Sequence, residues 1–201
     1  PVTIMLKALT QYEEATGDPR VVPVMVKFCE WLRNNMHQHT LHSWGSFRWA
    51  DLALCIHWLY NRTGHEWLLD IMKKCDEQGF DWRSHFEKFQ FPDKILSKED
   101  CELRTHVVNN AMAVKTCGIR FLQTGDEGDK AAVYKTLEML DTYHGTVVGI
   151  FTGDEHYAGK NPSQGTELCA VVEYMFSLEH LISILGDPAF GDRFEMITYN
   201  A

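Results

Sequence analysis

The chain has 201 residues, 45% of them hydrophobic and 23% charged, the make-up of one globular domain with a sizeable core. Nineteen basic residues against 28 acidic ones leave a net charge of −9, and no basic cluster stands out. Nucleic acid and anionic membranes are therefore not expected as partners, and no apolar run approaches the ~18 residues of a membrane span.

The predicted elements fall into helical pairs. Residues 3–15 and 21–36 form the first pair, and 47–62 and 66–78 the second. The aromatic, charged stretch 81–102 reads as a long loop with a turn or two of helix. Residues 103–122 and 130–143 form the third pair. Residues 146–151 are a candidate short strand. Residues 167–184 and 189–200 form the fourth pair, the first of them apolar nearly all round, as a helix buried on both sides would be.

Each pair turns on a version of one punctuation mark: Thr16-Gly17-Asp18-Pro19, Thr63-Gly64-His65, Thr124-Gly125-Asp126 and Leu185-Gly186-Asp187-Pro188. The glycines lie 47, 61 and 61 residues apart. Glycine supplies a left-handed helix C-cap, the following Asp an N-cap, and Pro a first helical turn. Repeating helical hairpins predict an all-α fold, either a solenoid or an (α/α)6 barrel. Eight helices are too few for six hairpins. The chain opens on Pro1 and ends on Ala201 within a helical pattern. Both features predict a single incomplete domain, 1–201, truncated at both ends, with exposed barrel edges that favour self-association. Six cysteines, at 29, 55, 75, 101, 117 and 169, include no CxxC pair and do not space as a disulfide framework. Reduced thiols and a cytoplasmic location are expected.

Chemistry concentrates in Gly153-Asp154-Glu155-His156 and in Glu167-Leu168-Cys169, where three carboxylates, an imidazole and a thiol fall within sixteen residues. Glu167 and Cys169, at i and i+2, point about 200° apart on a helix, so they share one ion only if Glu167 sits at the non-helical cap. A thiolate and a carboxylate there would suit zinc. The same residues also fit a structural Cys and a first-turn Glu favoured by the helix dipole. Glu155, on a glycine-flanked loop, fits a general acid/base or a solvated carboxylate. His156 and Asp154 share that ambiguity. His106, at the start of an apolar helix, fits a sugar contact made with Asn109 or Asn110, or a core histidine. Trp44 and Trp82, in loop-like surroundings, are candidate sugar-stacking platforms. Trp49 and Trp58 read as core. His37, His39 and His42 read as a solvated tract.

Residues 153–159, residues 164–173 (Gln164-Gly165-Thr166-Glu167-Leu168-Cys169 onward), Ser43-Trp44-Gly45 and Trp58-Leu59-Tyr60-Asn61-Arg62-Thr63-Gly64 resemble the β-L-arabinofuranosidase glycoside hydrolases of family 127 and relatives. The resemblance covers essentially the whole chain. It implies an (α/α)6 catalytic barrel followed by β-sandwich domains. It implies a retaining hydrolysis in which a zinc-bound Cys is the nucleophile and a Glu the acid/base. Of the implied zinc ligands, one Glu and three Cys, Glu167 and Cys169 match the Glu-x-Cys half. Glu155 matches the acid/base, at a shorter spacing from Glu167 than the family's, and His106 matches a sugar-binding His. The family's Cys-Cys pair, which carries the nucleophile, does not occur in these 201 residues. It is expected beyond Ala201, leaving the fragment inactive by itself. A glycan-binding helical module, and a zinc-free epimerase or lyase using Glu155 and His106, are the alternatives.

Overall fold

A computed structural model describes residues 2–201, and the described residues are mainly helical with almost no strand. They divide into two compact units, one ending at Phe80 and the other spanning Asp81–Ala201.

The first unit holds α1 (Val2–Thr16), α2 (Val21–Asn35), the single turn α3 (Trp44–Phe47), α4 (Trp49–Thr63) and α5 (Trp67–Gln78). Its core is the set of apolar stripes on these helices, including Leu6, Met25, Cys29, Ile56, Leu59, Leu68, Ile71 and Cys75. Asp51 is fully buried among them and receives Lys7 Nζ at 3.4 Å. The second unit holds α6 (Trp82–Glu87), a 3-10 turn at Lys98–Asp100, α7 (Val107–Ala113), α8 (Thr116–Thr124), α9 (Glu127–His144), α10 (Leu168–Leu185) and α11 (Pro188–Asn200). Helix α10 packs most extensively on α7 and α11, and α9 on α8 and α6.

The four turn motifs behave as their sequence dictates. Gly17, Gly64, Gly125 and Gly186 all adopt left-handed φ values of 65 to 67°. Each amide reaches the carbonyl four residues back, at 2.7 to 2.9 Å. Where a Thr precedes the Gly, its hydroxyl donates to the carbonyl four residues back, at 2.7, 2.9 and 3.0 Å for Thr16, Thr63 and Thr124. The same hydroxyl accepts the amide two residues on, so one side chain binds both sides of the turn. Asp126 and Asp187 then cap the next helix, accepting the amides of Gly128 and Ala189 at 2.9 Å.

Several local expectations change. Residues 103–122 are not one helix. Residues 103–106 are drawn into backbone pairing with the 155–157 loop, and α7 starts only at Val107. The helical ladder then lapses at Val114–Lys115, where the buried Lys115 ammonium donates to the Met112 carbonyl at 3.0 Å and to Ser177 Oγ at 3.3 Å. Residues 146–151 form a tight turn rather than a strand: the Thr146 amide meets the Ile150 carbonyl at 2.7 Å, and Gly149 sits at φ 86°. Trp82 is core, 1% exposed and stacked on Phe86, so it offers no sugar platform.

Helix α10 differs in two ways. It is long and apolar enough to cross a membrane by length and composition. The sequence hid this because Glu173 and Glu179 interrupt every apolar run. Nor is it covered all round. Ala170, Val171, Tyr174, Leu178 and Leu181 are buried, while Leu168 and Val172 are 73% and 55% exposed. Packing against α7, α8 and α11 on one face accounts for its composition.

Candidate active site

Two helix starts and one loop build the site. Residues 145–167 link α9 to α10, and from Gly153 onward they form a backbone weave. The Gly153 amide donates to the Gly165 carbonyl at 3.0 Å, and the Glu167 amide to the Gly153 carbonyl at 2.9 Å. On the other side of the loop, the Val107 amide donates to the Glu155 carbonyl at 2.9 Å and the Tyr157 amide to the Thr105 carbonyl at 3.2 Å. Gly153 is at the crossing. A Cβ there would stand 2.2 Å from Val107 Cγ1 and 2.6 Å from the His156 carbonyl oxygen, so only glycine fits.

This weave brings His106, Glu155 and Glu167 together, with one donor atom of each within 4.8 Å of the others. His106 is the N-cap of α7 and is buried, and its Nε2 lies 3.2 Å from Glu155 Oε2. Glu155 stays largely exposed on the loop. Glu167 is the N-cap of α10, with an extended backbone at φ −68°, ψ 127°. That is the non-helical placement on which sharing one ion with Cys169 depends. Cys169 itself is an exposed free thiol in the first turn of α10 and is not among the three converging donors. His156 stands beside the cluster, its ring 5.8 Å from that of His106 and its Nδ1 2.8 Å from the buried Thr105 hydroxyl. Trp44 belongs to the first unit, 44% exposed, with the Arg48 guanidinium 4.6 Å over its ring. Ser43 before it adopts a φ of 50°.

Asn109 and Asn110 are no sugar contacts. Both are fully buried, and their amides are turned to the backbone just upstream. Asn109 Nδ2 donates to the Leu103 carbonyl at 2.8 Å, and Asn110 Nδ2 to the carbonyls of Arg104 and His106 at 2.9 Å. They hold the turn at residues 103–105 and the extended His106 against α7, so that His106 presents its ring to the loop.

Behind the loop lies a buried aromatic shell that the sequence did not expose. Tyr157 is completely enclosed, and burial pushes its phenol pKa well up. Its ring is stacked on His144 at 4.4 Å. The His144 imidazole accepts the Gly159 amide at Nδ1, 2.9 Å, and meets the Phe91 carbonyl at Nε2, 2.6 Å. That pair of bonds requires the neutral Nε2–H tautomer, and burial holds its pKa down at about 4. His85, 3.4 Å from the Tyr157 hydroxyl, is likewise pushed down to about 4 by burial, with Arg104 nearby adding to the effect. The only sequence signal for this shell was the aromatic density of residues 82–91.

A carboxylate at a helix cap, an imidazole and a loop carboxylate, converging within 4.8 Å, can hold a cation or move a proton. Neither the curated proteins nor the solved structures give a match to the chain. The family model described as the β-L-arabinofuranosidase, GH127 catalytic domain, matches residues 2–201. With that match over the described chain, and an all-α fold of helical hairpins of the kind that makes up an (α/α)6 barrel, the chain belongs to the GH127 β-L-arabinofuranosidase catalytic-domain family.

Proposed function

We propose that the protein is a retaining glycosidase that cleaves β-L-arabinofuranosides, with Glu155 as the acid/base. Family membership already makes it a glycoside hydrolase catalytic domain with a carbohydrate substrate. The observation that carries the finer reading is the convergence of Glu155 and Glu167 beside His106.

Glu155 has what a sugar-facing acid/base needs. It is on a loop, open to solvent, and one carboxylate oxygen rests on His106 Nε2 at 3.2 Å, leaving the other oxygen to meet a leaving group. In the first step Glu155 protonates the departing glycosidic oxygen. In the second it takes a proton from the incoming water.

Glu167 and His106, which converge, offer the oxygen and nitrogen donors that zinc takes; Cys169, which does not converge with them here, would add sulfur, and Glu167 stands at the non-helical cap on which sharing an ion with Cys169 depends. Glu167 and Cys169 would hold the ion, and bound zinc would keep a cysteine nucleophile as thiolate. No two of the six cysteines are adjacent, and the Cys-Cys pair that the family resemblance implies for the nucleophile is not among residues 1–201. His106 and His156 would contact sugar hydroxyls.

The test is the anomeric configuration of the first-formed product, read by NMR with the full-length protein on an aryl β-L-arabinofuranoside. Release of β-L-arabinofuranose supports the reading, whereas release of the α-anomer or no hydrolysis defeats it. The 3.2 Å His106–Glu155 contact also suits a second reading, an epimerase or lyase using the two as acid and base. That reading predicts an isomerised or unsaturated sugar among the products.

A further inference from the structure

The loop that carries Glu155 and the helix start that carries His106 are tied together by a bond that neither residue makes. We propose that Tyr157 is a positioning residue for Glu155: through Asn110, its buried hydroxyl fixes the acid/base loop against the start of α7. The proposal rests on the reading of Glu155 as the acid/base.

Tyr157 lies two residues beyond Glu155 and is 1% exposed. Its hydroxyl donates to Asn110 Oδ1. The Asn110 side chain has no freedom left: its Nδ2 donates to the carbonyls of Arg104 and His106, both at 2.9 Å, so only its oxygen faces the phenol. One amide thus grips the His106 backbone on one side and the Glu155 loop on the other. The phenol is held from every direction. His144 stacks on its face with an interplanar angle of 12°, Phe89 meets it edge-on at 5.4 Å, and Asn110 takes its tip.

Glu155 is 71% exposed at its side chain, so its placement is only as good as that of its backbone. That backbone is pinned by the Val107-to-Glu155 and Tyr157-to-Thr105 hydrogen bonds on either side of it. Both bonds need residue 157 seated in its pocket. Tyr157 reaches no substrate, and its contribution is the aim of the carboxyl.

The test is Tyr157→Phe in the full-length protein, with Asn110→Ser as a second variant if the first does not fold. Values of kcat/KM, which report the first, glycosylation step alone, are compared on methyl β-L-arabinofuranoside, whose leaving group must be protonated, and on the 2,4-dinitrophenyl glycoside, whose leaving group need not be. Amide exchange at Val107 and Tyr157 is followed in parallel. The expected result is a fall in kcat/KM of about tenfold or more on the methyl glycoside, with kcat/KM on the dinitrophenyl glycoside changed by less than about twofold, and faster exchange at both amides. Equal losses on both glycosides would mark a merely structural residue and overturn the proposal, as would unchanged turnover. If the unaltered protein cleaves neither glycoside, the glycosidase reading fails, and exchange alone decides: unchanged exchange at Val107 and Tyr157 overturns the positioning claim, and faster exchange upholds it.

Discussion

The Nδ1 of His144 accepts the backbone amide of Gly159 at 2.9 Å, so a buried neutral imidazole holds the far end of the loop that carries Glu155. Its other nitrogen meets the Phe91 carbonyl at 2.6 Å, and a second neutral imidazole, His85, lies against the same phenol. Protonating His144 would turn Nδ1 from acceptor to donor and break the Gly159 bond.

Acid should therefore loosen this shell. Burial holds both imidazoles at about 4, below the ordinary value of 6.5. Between those limits the unfolded chain binds more protons than the folded one. The stability from each neutral His is complete above about pH 6.5 and is lost as pH falls towards 4, with a ceiling of about 3 kcal/mol per group. Denaturant unfolding at pH 7 and at pH 4.5 should show this loss, and His144→Asn should flatten the difference. An equal pH dependence in the variant would show that His144 carries none of it.

The weave at Gly153 should tolerate no side chain. Gly153→Ala drives a methyl into Val107 and the His156 carbonyl, two neighbours with no room to move. A loss of about 1–3 kcal/mol is expected, with a larger loss of activity because Glu155 moves with the loop. Gly165→Ala meets only the Asp154 carboxylate, the free end of a side chain that can swing aside. Thermal melts and turnover of the two variants should separate them, and equal effects would contradict this reading of the crossing.

The hairpin turns should share one cost. Gly64, Gly125 and Gly186 are left-handed, and nothing lies within 4 Å of a Cβ added at any of them. Alanine there meets only backbone strain, about 1–2 kcal/mol at each site. Urea midpoints of the three single variants should fall by similar amounts, and a variant as stable as its parent would show that its turn carries no such strain.

Metal content should depend on α10. Elemental analysis of the full-length protein is expected to give about one zinc per chain, and Cys169→Ser or Glu167→Gln should remove most of it. Full zinc content in both variants would place the metal elsewhere.

The hairpins were legible because their signals are local. Each turn has a left-handed Gly with a Thr or an Asp beside it, and every bond described for it joins residues no more than four positions apart. Residues 103–106 were misread for the opposite reason. Their helical pattern is real, but the 155–157 loop, fifty residues away, offers their backbone a better partner. The site was legible by halves. Glu155, Glu167 and Cys169 stand out as unusual chemistry at a loop and a cap, whereas Asn110, His144 and Tyr157 look like ordinary core until the fold joins them. Asn109 and Asn110 were misjudged because an Asn on an apolar helix gives no sign of whether its amide faces a ligand or the backbone just upstream.

The most direct test of the account is Glu155→Gln in the full-length protein, assayed on an alkyl β-L-arabinofuranoside and, with azide present, on the dinitrophenyl glycoside. The account predicts a loss of about 10²–10⁴-fold on the alkyl substrate and an arabinofuranosyl azide of retained configuration from the dinitrophenyl one. Alkyl turnover equal to that of the unaltered protein would contradict it, since Glu155 could then be neither the acid nor the base.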